Sequence, residues 1–253
     1  MVEARLKQST IITNAWKDGI FMIYAVGGST MLGRGCPQGS AYMDILKNRY
    51  GLKSKIYAED LAGIKFAISC FEEIPNDSIV VLQIGAGDQI RIIKENFRRW
   101  LPGNLGASKT ALDQPLYKSK KRSRRIYNEF KSYNKYLVKK YLIKTPIYGH
   151  EISLMEYQEF LRKLASVAAK KRIRIVWIST VKGFYRVPNF LKAEKEHYSG
   201  YGAINVIENQ IPFGSCFLDL NGFILESDTG IDGFHLNSEG HLKLAEALAR
   251  VLK

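Results

Sequence analysis

The sequence predicts an α/β fold, a three-layer α/β/α sandwich built on a mostly parallel, doubly wound sheet. Two observations predict it. Short apolar runs rich in β-branched residues alternate with helical patterns along most of the chain. Several of these runs end at a glycine turn, which is typical of strands that are buried on both faces and stop at the edge of a sheet. Strands separated by helices favour a parallel sheet with helices on both sides.

The amino-terminal part of the chain contains three predicted strands, each bounded by turn residues. The third of them is the strongest because of its β-branched content. The predicted elements are, in order, a strand at 20–26, a helix at 41–49, a strand at 54–58, a helix at 64–74 and a strand at 79–84.

The alternation resumes after a long segment of different composition. Its predicted elements are a helix at 153–171, a strand at 174–179, a helical stretch at 188–209, a strand at 215–220 and a final helix at 239–252. Ser238, directly before the final helix, is its predicted N-cap. We therefore expect one domain spanning residues 1–253, with a basic helical insertion at about 100–150.

The chain is strongly basic. Its 253 residues carry a formal charge of +14, which indicates an anionic partner such as an acidic glycan, a membrane surface or nucleic acid. The three cysteines, Cys36, Cys70 and Cys216, match no zinc-site spacing and predict no disulfide framework. The first residues lack the apolar core of a signal peptide, and no apolar run approaches the ~20 residues that span a bilayer. We expect a soluble cytoplasmic protein without a metal or other cofactor.

Most of the excess charge lies between Lys109 and Lys144, where twelve Lys/Arg accompany two acids and give +10. Helical spacing from Tyr127 to Leu142 places aromatic residues among the lysines. One interpretation is a solvated helical face, as most charge runs are. The alternative is a docking surface for an anionic polymer or for the inner face of a membrane. In that case the residues expected to bind the partner are Lys120, Lys121, Arg122, Arg124 and Arg125.

Polar residues follow the predicted strands at the sheet edge where ligands bind in open α/β folds. Ser29 lies in the glycine turn after the first strand, and Asp232 and His235 lie three positions apart before the final helix. His235 is suited to be a general base, Asp232 to hold its tautomer, and Ser29 to be the nucleophile. Plainer interpretations are also open: Ser29 as a capping residue, Gly63 as the glycine that begins a helix, and Asp88 as an N-cap.

Four turns, taken in order along the chain, resemble the four sequence blocks of the SGNH (GDSL-like) hydrolase superfamily. They are Gly28-Ser29, Gly63, Gly85-Ala86-Gly87-Asp88 and Asp232-Gly233-Phe234-His235. The last is the most specific, because Leu-Asn-x-x-Gly-His follows it directly. The resemblance covers the chain from about Phe21 to the end and implies the flavodoxin-like α/β/α fold of this superfamily.

The resemblance implies a Ser-His-Asp triad. Ser29 would be the nucleophile, His235 would take its proton, and Asp232 would orient His235. The backbone N–H groups of Ser29 and Gly63 would form the oxyanion hole. The expected activity is that of a serine esterase or acyltransferase that acts on O-acyl groups, above all O-acetyl, of a saccharide or glycan.

Two positions depart from the superfamily pattern. Gly28 replaces the Asp of Gly-Asp-Ser, which leaves the nucleophile and its tight turn in place. Gly87, expected to line the site with Asp88, replaces the oxyanion Asn and supplies no side-chain donor, and an ionised Asp88 cannot donate either. The chain is similar to divergent members from polysaccharide biosynthesis clusters that also lack this Asn, and we expect slow ester turnover.

Two other classes of function are open. The chain could keep the fold without catalysis and bind an anionic glycan or a membrane surface through its basic segment. Nucleic-acid binding, in which aromatic residues among the lysines would stack on bases, is not expected because no recognition motif accompanies the charge.

Overall fold

The computed structural model describes residues 22–60, 62–84, 88, 92–93, 133–134, 137–138, 140–142, 144–146, 148–149, 152–180, 215–230 and 235–252. A five-stranded sheet is at its centre, which confirms the predicted α/β class. The strands are β1 (Met22–Gly27), β2 (Lys53–Ala58), β3 (Ile79–Gln83), β4 (Ile92–Ile93), β5 (Tyr148–Gly149), β6 (Arg174–Ile178) and β7 (Cys216–Leu218). The helices are α1 (Tyr42–Tyr50), α2 (Ile64–Glu73), α3 (Leu154–Lys170) and α4 (Ser238–Val251), with short 3₁₀ turns at Leu220–Gly222 and Glu226–Asp228.

The sheet is parallel throughout, in the order β2-β1-β3-β6-β7. The chain therefore passes from β2 across β1 to β3 and reverses direction beside β1. Ligands in α/β sheets bind at the carboxyl ends of the strands that flank such a reversal. Pairing of Gly27 with Gln83 places the ends of β1 and β3 at the same level. Ser29 and Asp88 follow these two strand ends in the sequence.

Two apolar layers enclose the sheet because its strands alternate between two buried faces. In β3, Val80 and Leu82 pack on the side of α2 and α3, whereas Ile79 and Val81 pack on the side of α1 and α4. All residues of β3 are buried. The helices pair accordingly, α2 with α3 and α1 with α4. This arrangement is the predicted three-layer sandwich.

The start of α4 differs from the prediction. The N-cap is Asn237, whose side-chain oxygen accepts a hydrogen bond from the Gly240 N–H at 3.0 Å, and Ser238 already belongs to the helix. The prediction of Ser238 as the cap is wrong. Asn237 has the extended backbone of a cap (φ −85°, ψ −177°) and places an acceptor within reach of an unpaired helix N–H.

Strands β4 and β5 form a separate antiparallel pair, with Ile92 opposite Gly149 and Ile93 opposite Tyr148. The chain between them therefore leaves and returns at neighbouring positions. Most of that chain lies outside the described residues, as does the predicted helical stretch at 188–209. The predicted anion-binding residues that fall there are Lys120, Lys121, Arg122, Arg124 and Arg125. Within the described ranges no helix is long and apolar enough to cross a membrane.

Candidate active site

Ser29 lies in a tight turn at the carboxyl end of β1. The Gly28 N–H donates to the Gln83 carbonyl at 3.2 Å, and the Met31 N–H donates back to the Gly28 carbonyl at 3.0 Å. The turn requires glycine at position 27. A Cβ on Gly27 would lie 2.8 Å from Met31 Cε and 2.9 Å from the Gln83 carbonyl oxygen. The close approach of β1 and β3 thus fixes where the Ser29 side chain begins.

The Ser29 hydroxyl lies against the His235 imidazole. The distance from Ser29 Oγ to His235 Nε2 is 2.7 Å, and both side chains are buried. With the ring proton on Nδ1, Nε2 accepts a hydrogen bond from the hydroxyl. A general base needs this geometry to take a proton from a nucleophile. The fold therefore brings together two predicted site residues that are 206 positions apart in the sequence.

Hydrogen bonds hold the loop that contains His235. The Gly230 N–H donates to the His235 carbonyl at 2.7 Å, and the Asn237 N–H donates to the Asp228 carbonyl at 2.9 Å. The buried Asp228 carboxylate accepts hydrogen bonds from Lys243 Nζ at 2.7 and 2.9 Å. The loop is thus tied to itself and to the second turn of α4, so the imidazole starts from a fixed backbone.

The turn after β2 brings Gly63 close to the serine turn. A Cβ on Gly28 would lie 3.7 Å from the Ala62 nitrogen, so the two turns are in near contact. In the part of the chain that the structure describes, neither the Ser29 N–H nor the Gly63 N–H donates a hydrogen bond. Unpaired N–H groups beside a nucleophile can bind the oxyanion that forms when the nucleophile attacks a carbonyl group.

Asp88 explains why residue 63 is glycine. Gly63 is the N-cap of α2 and has no side chain to cap it, so Asp88 Oδ2 accepts the hydrogen bond from the Ile64 N–H at 2.9 Å. A Cβ on Gly63 would overlap the Asp88 carboxylate, although the φ of −111° suits any residue. Asp88 is therefore a helix cap, as its plainer interpretation suggests, but it caps α2 and packs against the predicted oxyanion donor.

Two predicted site residues, Gly87 and Asp232, lie outside the described residues. Site lining by Gly87 and orientation of His235 by Asp232 stay predictions. No group of three or more His, Cys, Asp or Glu within the described ranges is placed to hold a metal ion.

Cys36 is a second nucleophilic side chain in the loop that follows Ser29. Its thiol donates to the Gly33 carbonyl at 3.0 Å. Burial, followed by the negative charge of Asp44, raises the pKa of this thiol above its usual value. The thiol therefore stays protonated near neutral pH, and a protonated thiol is a poor nucleophile.

Sequence reasoning assigned no role to three buried polar residues, Tyr42, Gln83 and His241, that are joined by hydrogen bonds. The Tyr42 hydroxyl donates to Gln83 Oε1 at 3.0 Å, and the Tyr42 N–H donates to Nδ1 of His241 at 3.3 Å. Burial raises the pKa of the Tyr42 phenol well above its usual value, so it remains a neutral donor. The available signal was Gln83 itself, since a polar residue at the end of an otherwise apolar buried strand needs a partner.

His241 is neutral in the folded protein. Its ring is fully buried, and burial, followed by the charge of His235, lowers its pKa to about 4. The neutral ring suits its contact, because Nδ1 must accept a hydrogen bond from the Tyr42 N–H at the amino end of α1. An imidazolium could not accept this bond, and the positive end of the helix dipole disfavours a cation there.

Mild acid is expected to destabilise the protein through His241. The unfolded chain binds a proton on His241 near pH 6.5, and the folded chain binds it only near pH 4. The stability that depends on a neutral His241 is therefore complete above about pH 6.5 and is lost as the pH falls toward 4. Its size is roughly 3 kcal/mol. Urea unfolding at pH 7 and 4.5 should show wild type losing about 2–3 kcal/mol more than His241→Asn, which keeps an acceptor but does not titrate. Equal losses in the two proteins would contradict the assignment.

One family model matches the chain, and solved structures share its fold. The GDSL-like lipase/acylhydrolase model matches residues 18–248, while no curated protein matches the chain. The solved acetyl xylan esterase AlAXEase aligns with a TM-score of 0.53 at 11% identity, over 92% of this chain and 100% of that one. A carbohydrate esterase family 2 enzyme plus carbohydrate binding domain, from Corynascus thermopiles (Myceliophthora fergusii), aligns with a TM-score of 0.51 at 14% identity. That alignment covers 92% of this chain and 65% of the other, just under two thirds of its length.

Proposed function

The chain belongs to the GDSL-like lipase/acylhydrolase family, and on that premise we propose that it is a serine esterase or acyltransferase acting on O-acyl groups of a saccharide or glycan, above all O-acetyl. One observation carries the proposal, the distance of 2.7 Å between Ser29 Oγ and His235 Nε2. It places a hydroxyl against a base at the sheet edge where this class of fold binds ligands.

The proposed reaction has two steps. Ser29 Oγ attacks the acyl carbonyl carbon while its proton passes to His235 Nε2, and the N–H groups of Ser29 and Gly63 hold the oxyanion. The bond to the sugar oxygen then breaks, and His235 returns the proton to that oxygen. Water or a second hydroxyl attacks the acyl-serine in the same way and releases Ser29. Asp232 orients His235 and stabilises the imidazolium in both steps.

The proposed substrate class rests on two supports. The formal charge of +14 favours an acidic or lipid-linked saccharide over a neutral one. Two proteins that share the fold are a carbohydrate esterase and an acetyl xylan esterase.

Release of acetate from O-acetylated saccharides tests this proposal. The assay compares acidic and neutral acetylated oligosaccharides with a nitrophenyl acetate, in the presence and absence of a free acceptor saccharide. Acetate release identifies an esterase, and acetyl transfer to the acceptor identifies an acyltransferase. Turnover of the nitrophenyl ester without any action on acetylated saccharides would contradict the substrate class. No turnover of any ester would contradict the function.

Slow wild-type turnover is expected because Gly87 replaces the oxyanion Asn. The loss of one such donor costs about 10²–10³-fold in turnover. Gly87→Asn should fold, since Asn tolerates a positive φ better than most residues, and should raise nitrophenyl acetate turnover at least ~5-fold. Initial rates, with unfolding curves as the fold control, check this. A folded variant with unchanged or lower turnover would mean that another group already supplies the third donor.

A second proposal concerns the basic segment, defined as Lys109–Lys144. The helical residues described in it include Tyr133, Leu137, Val138 and Tyr141, with 46, 37, 45 and 74% of their surface exposed. Exposed apolar residues at helical spacing among many lysines are typical of helices that lie on anionic membrane surfaces. We propose that the basic segment binds such a surface and takes no part in the chemistry.

Replacing the five anion-binding residues by Gln should weaken binding to phosphatidylglycerol vesicles, and most strongly at low salt, where charges are least screened. The residues are Lys120, Lys121, Arg122, Arg124 and Arg125. Vesicle sedimentation at two salt concentrations measures the binding. Phosphatidylcholine vesicles and a soluble acidic glycan are tested in parallel as alternative partners. Nitrophenyl acetate turnover should stay within ~2-fold of wild type. A collapse of that rate would place the segment in the active site, and binding to the glycan alone would exclude the membrane.

A further inference from the structure

His241 is a buried imidazole for which the proposed reaction has no step. Its ring is fully buried and stacks on the Tyr42 ring, with 5.9 Å between centroids and 20° between planes. Nδ1 accepts the hydrogen bond from the Tyr42 N–H, but the buried Nε2 has no hydrogen-bond partner among the described residues. An unmade hydrogen bond inside a protein is destabilising. A phenylalanine would fill the space without that cost, so packing alone does not account for an imidazole here.

Three hydrogen bonds connect His241 to the nucleophile turn. The Tyr42 N–H donates to His241 Nδ1 at 3.3 Å, the Tyr42 hydroxyl donates to Gln83 Oε1 at 3.0 Å, and the Gly28 N–H donates to the Gln83 carbonyl at 3.2 Å. Gly28 directly precedes Ser29. All three side chains in this connection, here named the Gln83–Tyr42–His241 chain, are buried.

The His241 end of the Gln83–Tyr42–His241 chain is near His235 in the sequence. His241 is six residues after His235, at the end of the first turn of the helix that the His235 loop enters. Among the described residues, His235 is the titratable group whose charge acts on the His241 ring, and the Tyr42 phenol that stacks on that ring is neutral. A buried, directional set of bonds therefore spans from the base-bearing segment to the turn of the nucleophile.

We propose that Gln83, Tyr42 and His241 are positioning residues that set the distance between Ser29 Oγ and His235 Nε2. The inference rests on the proposed function, since it assigns these residues to the same reaction. Ser29 and His235 are 206 positions apart in the sequence and bond directly to each other, and the Gln83–Tyr42–His241 chain joins the turn of the first to the helix that follows the second. A misplacement of about 1 Å between reacting groups costs on the order of 10²-fold in rate.

Two features of this arrangement favour a neutral His241 ring. Its Nδ1 caps the amino end of α1, where Ala41 offers no side-chain acceptor. During proton transfer His235 becomes positively charged, and a second imidazolium nearby would oppose that charge. A neutral ring keeps the cap and avoids the repulsion, which a lysine or arginine at this position would not do.

Three variants separate positioning from packing. Tyr42→Phe removes one hydroxyl, His241→Phe keeps a ring but removes the acceptor, and His241→Asn keeps an acceptor near the position of Nδ1. Tyr42→Phe and His241→Phe are expected to lower kcat for nitrophenyl acetate by about 10–100-fold with KM within ~3-fold, and His241→Asn to keep kcat within ~5-fold. Leu248→Ala, a buried change further along the same helix, should lower Tm but leave kcat within ~2-fold.

Two outcomes in these kinetics would overturn the inference. One is wild-type kcat in folded Tyr42→Phe and His241→Phe. The other is a fall in kcat for Leu248→Ala as large as theirs, which would mean that loss of packing suffices. Should His241→Phe fail to fold, Tyr42→Phe and His241→Asn decide the question.

A crystal structure of Tyr42→Phe provides a readout that does not depend on turnover. The distance from Ser29 Oγ to His235 Nε2 should lengthen beyond hydrogen-bond reach, about 3.2 Å. An unchanged distance overturns the inference even if the protein turns over no ester. A wild type without ester turnover defeats the proposed function instead, so the two failures are distinguishable.

Discussion

Ser29→Ala is expected to lower nitrophenyl acetate turnover by about 10⁴-fold or more, and His235→Ala to do the same. The hydroxyl and the imidazole form one hydrogen-bonded unit at 2.7 Å, so the loss of either partner removes the activated nucleophile. The double variant should therefore be no slower than the slower single variant. Initial rates after subtraction of background hydrolysis measure these losses, and urea unfolding shows that each variant is folded.

Ser69→Ala is the matched control for the serine change. The Ser69 hydroxyl is exposed on α2 and donates to the Phe66 carbonyl of its own helix, so its loss should leave turnover within ~2-fold of wild type. Losses that multiply in the Ser29→Ala/His235→Ala double variant would contradict a shared role. Each residue would then contribute to a different step.

Gly63→Ala is expected to lower turnover by about 10²–10³-fold, the usual cost of one oxyanion donor. The new Cβ would overlap the Asp88 carboxylate. Because Asp88 also holds the Ile64 N–H, relief of the overlap must shift the turn that carries the Gly63 N–H or break the cap of α2. Overpacking of this kind typically costs about 1–3 kcal/mol of stability, so both turnover and unfolding should be measured.

Gly222→Ala is the control for this glycine change. A Cβ on Gly222 would meet no described atom within 4 Å, so neither turnover nor stability should change beyond ~2-fold or about 0.5 kcal/mol. Gly63→Ala with wild-type turnover would exclude its N–H from the oxyanion hole. A loss of stability without a loss of turnover would limit Gly63 and Asp88 to a structural role.

Local patterns made most of the fold predictable. Strand β3 is a short apolar run of β-branched residues, and such a run indicates a buried strand wherever it occurs. The ends of the predicted strands and helices that the structure describes lie within about two residues of the prediction, whereas the short strands β4 and β5 were not predicted. The start of α4 was not predictable to the residue, because Asn237 and Ser238 are both good N-caps and only the backbone decides between them.

The candidate site was predictable only in part. Ser29 follows a strand signal and His235 precedes a helix signal, both visible in the sequence, and the parallel sheet brings such positions to one edge. The bond from Asp88 to the first turn of α2, and the bonds of Tyr42 to Gln83 and His241, join residues 24 to 199 positions apart. No local pattern specifies them, because they depend on how the turns and helices pack in the folded chain.

Labelling with a serine-directed fluorophosphonate, followed by peptide mass spectrometry, tests the central claim most directly. The reagent forms a bond to an activated serine oxygen and needs no knowledge of the natural substrate. Wild type should carry one adduct, on Ser29, and labelling should disappear in Ser29→Ala and fall at least ~10²-fold in rate in His235→Ala. Equal labelling of wild type and Ser29→Ala, or an adduct on another residue, would contradict a Ser29 nucleophile activated by His235.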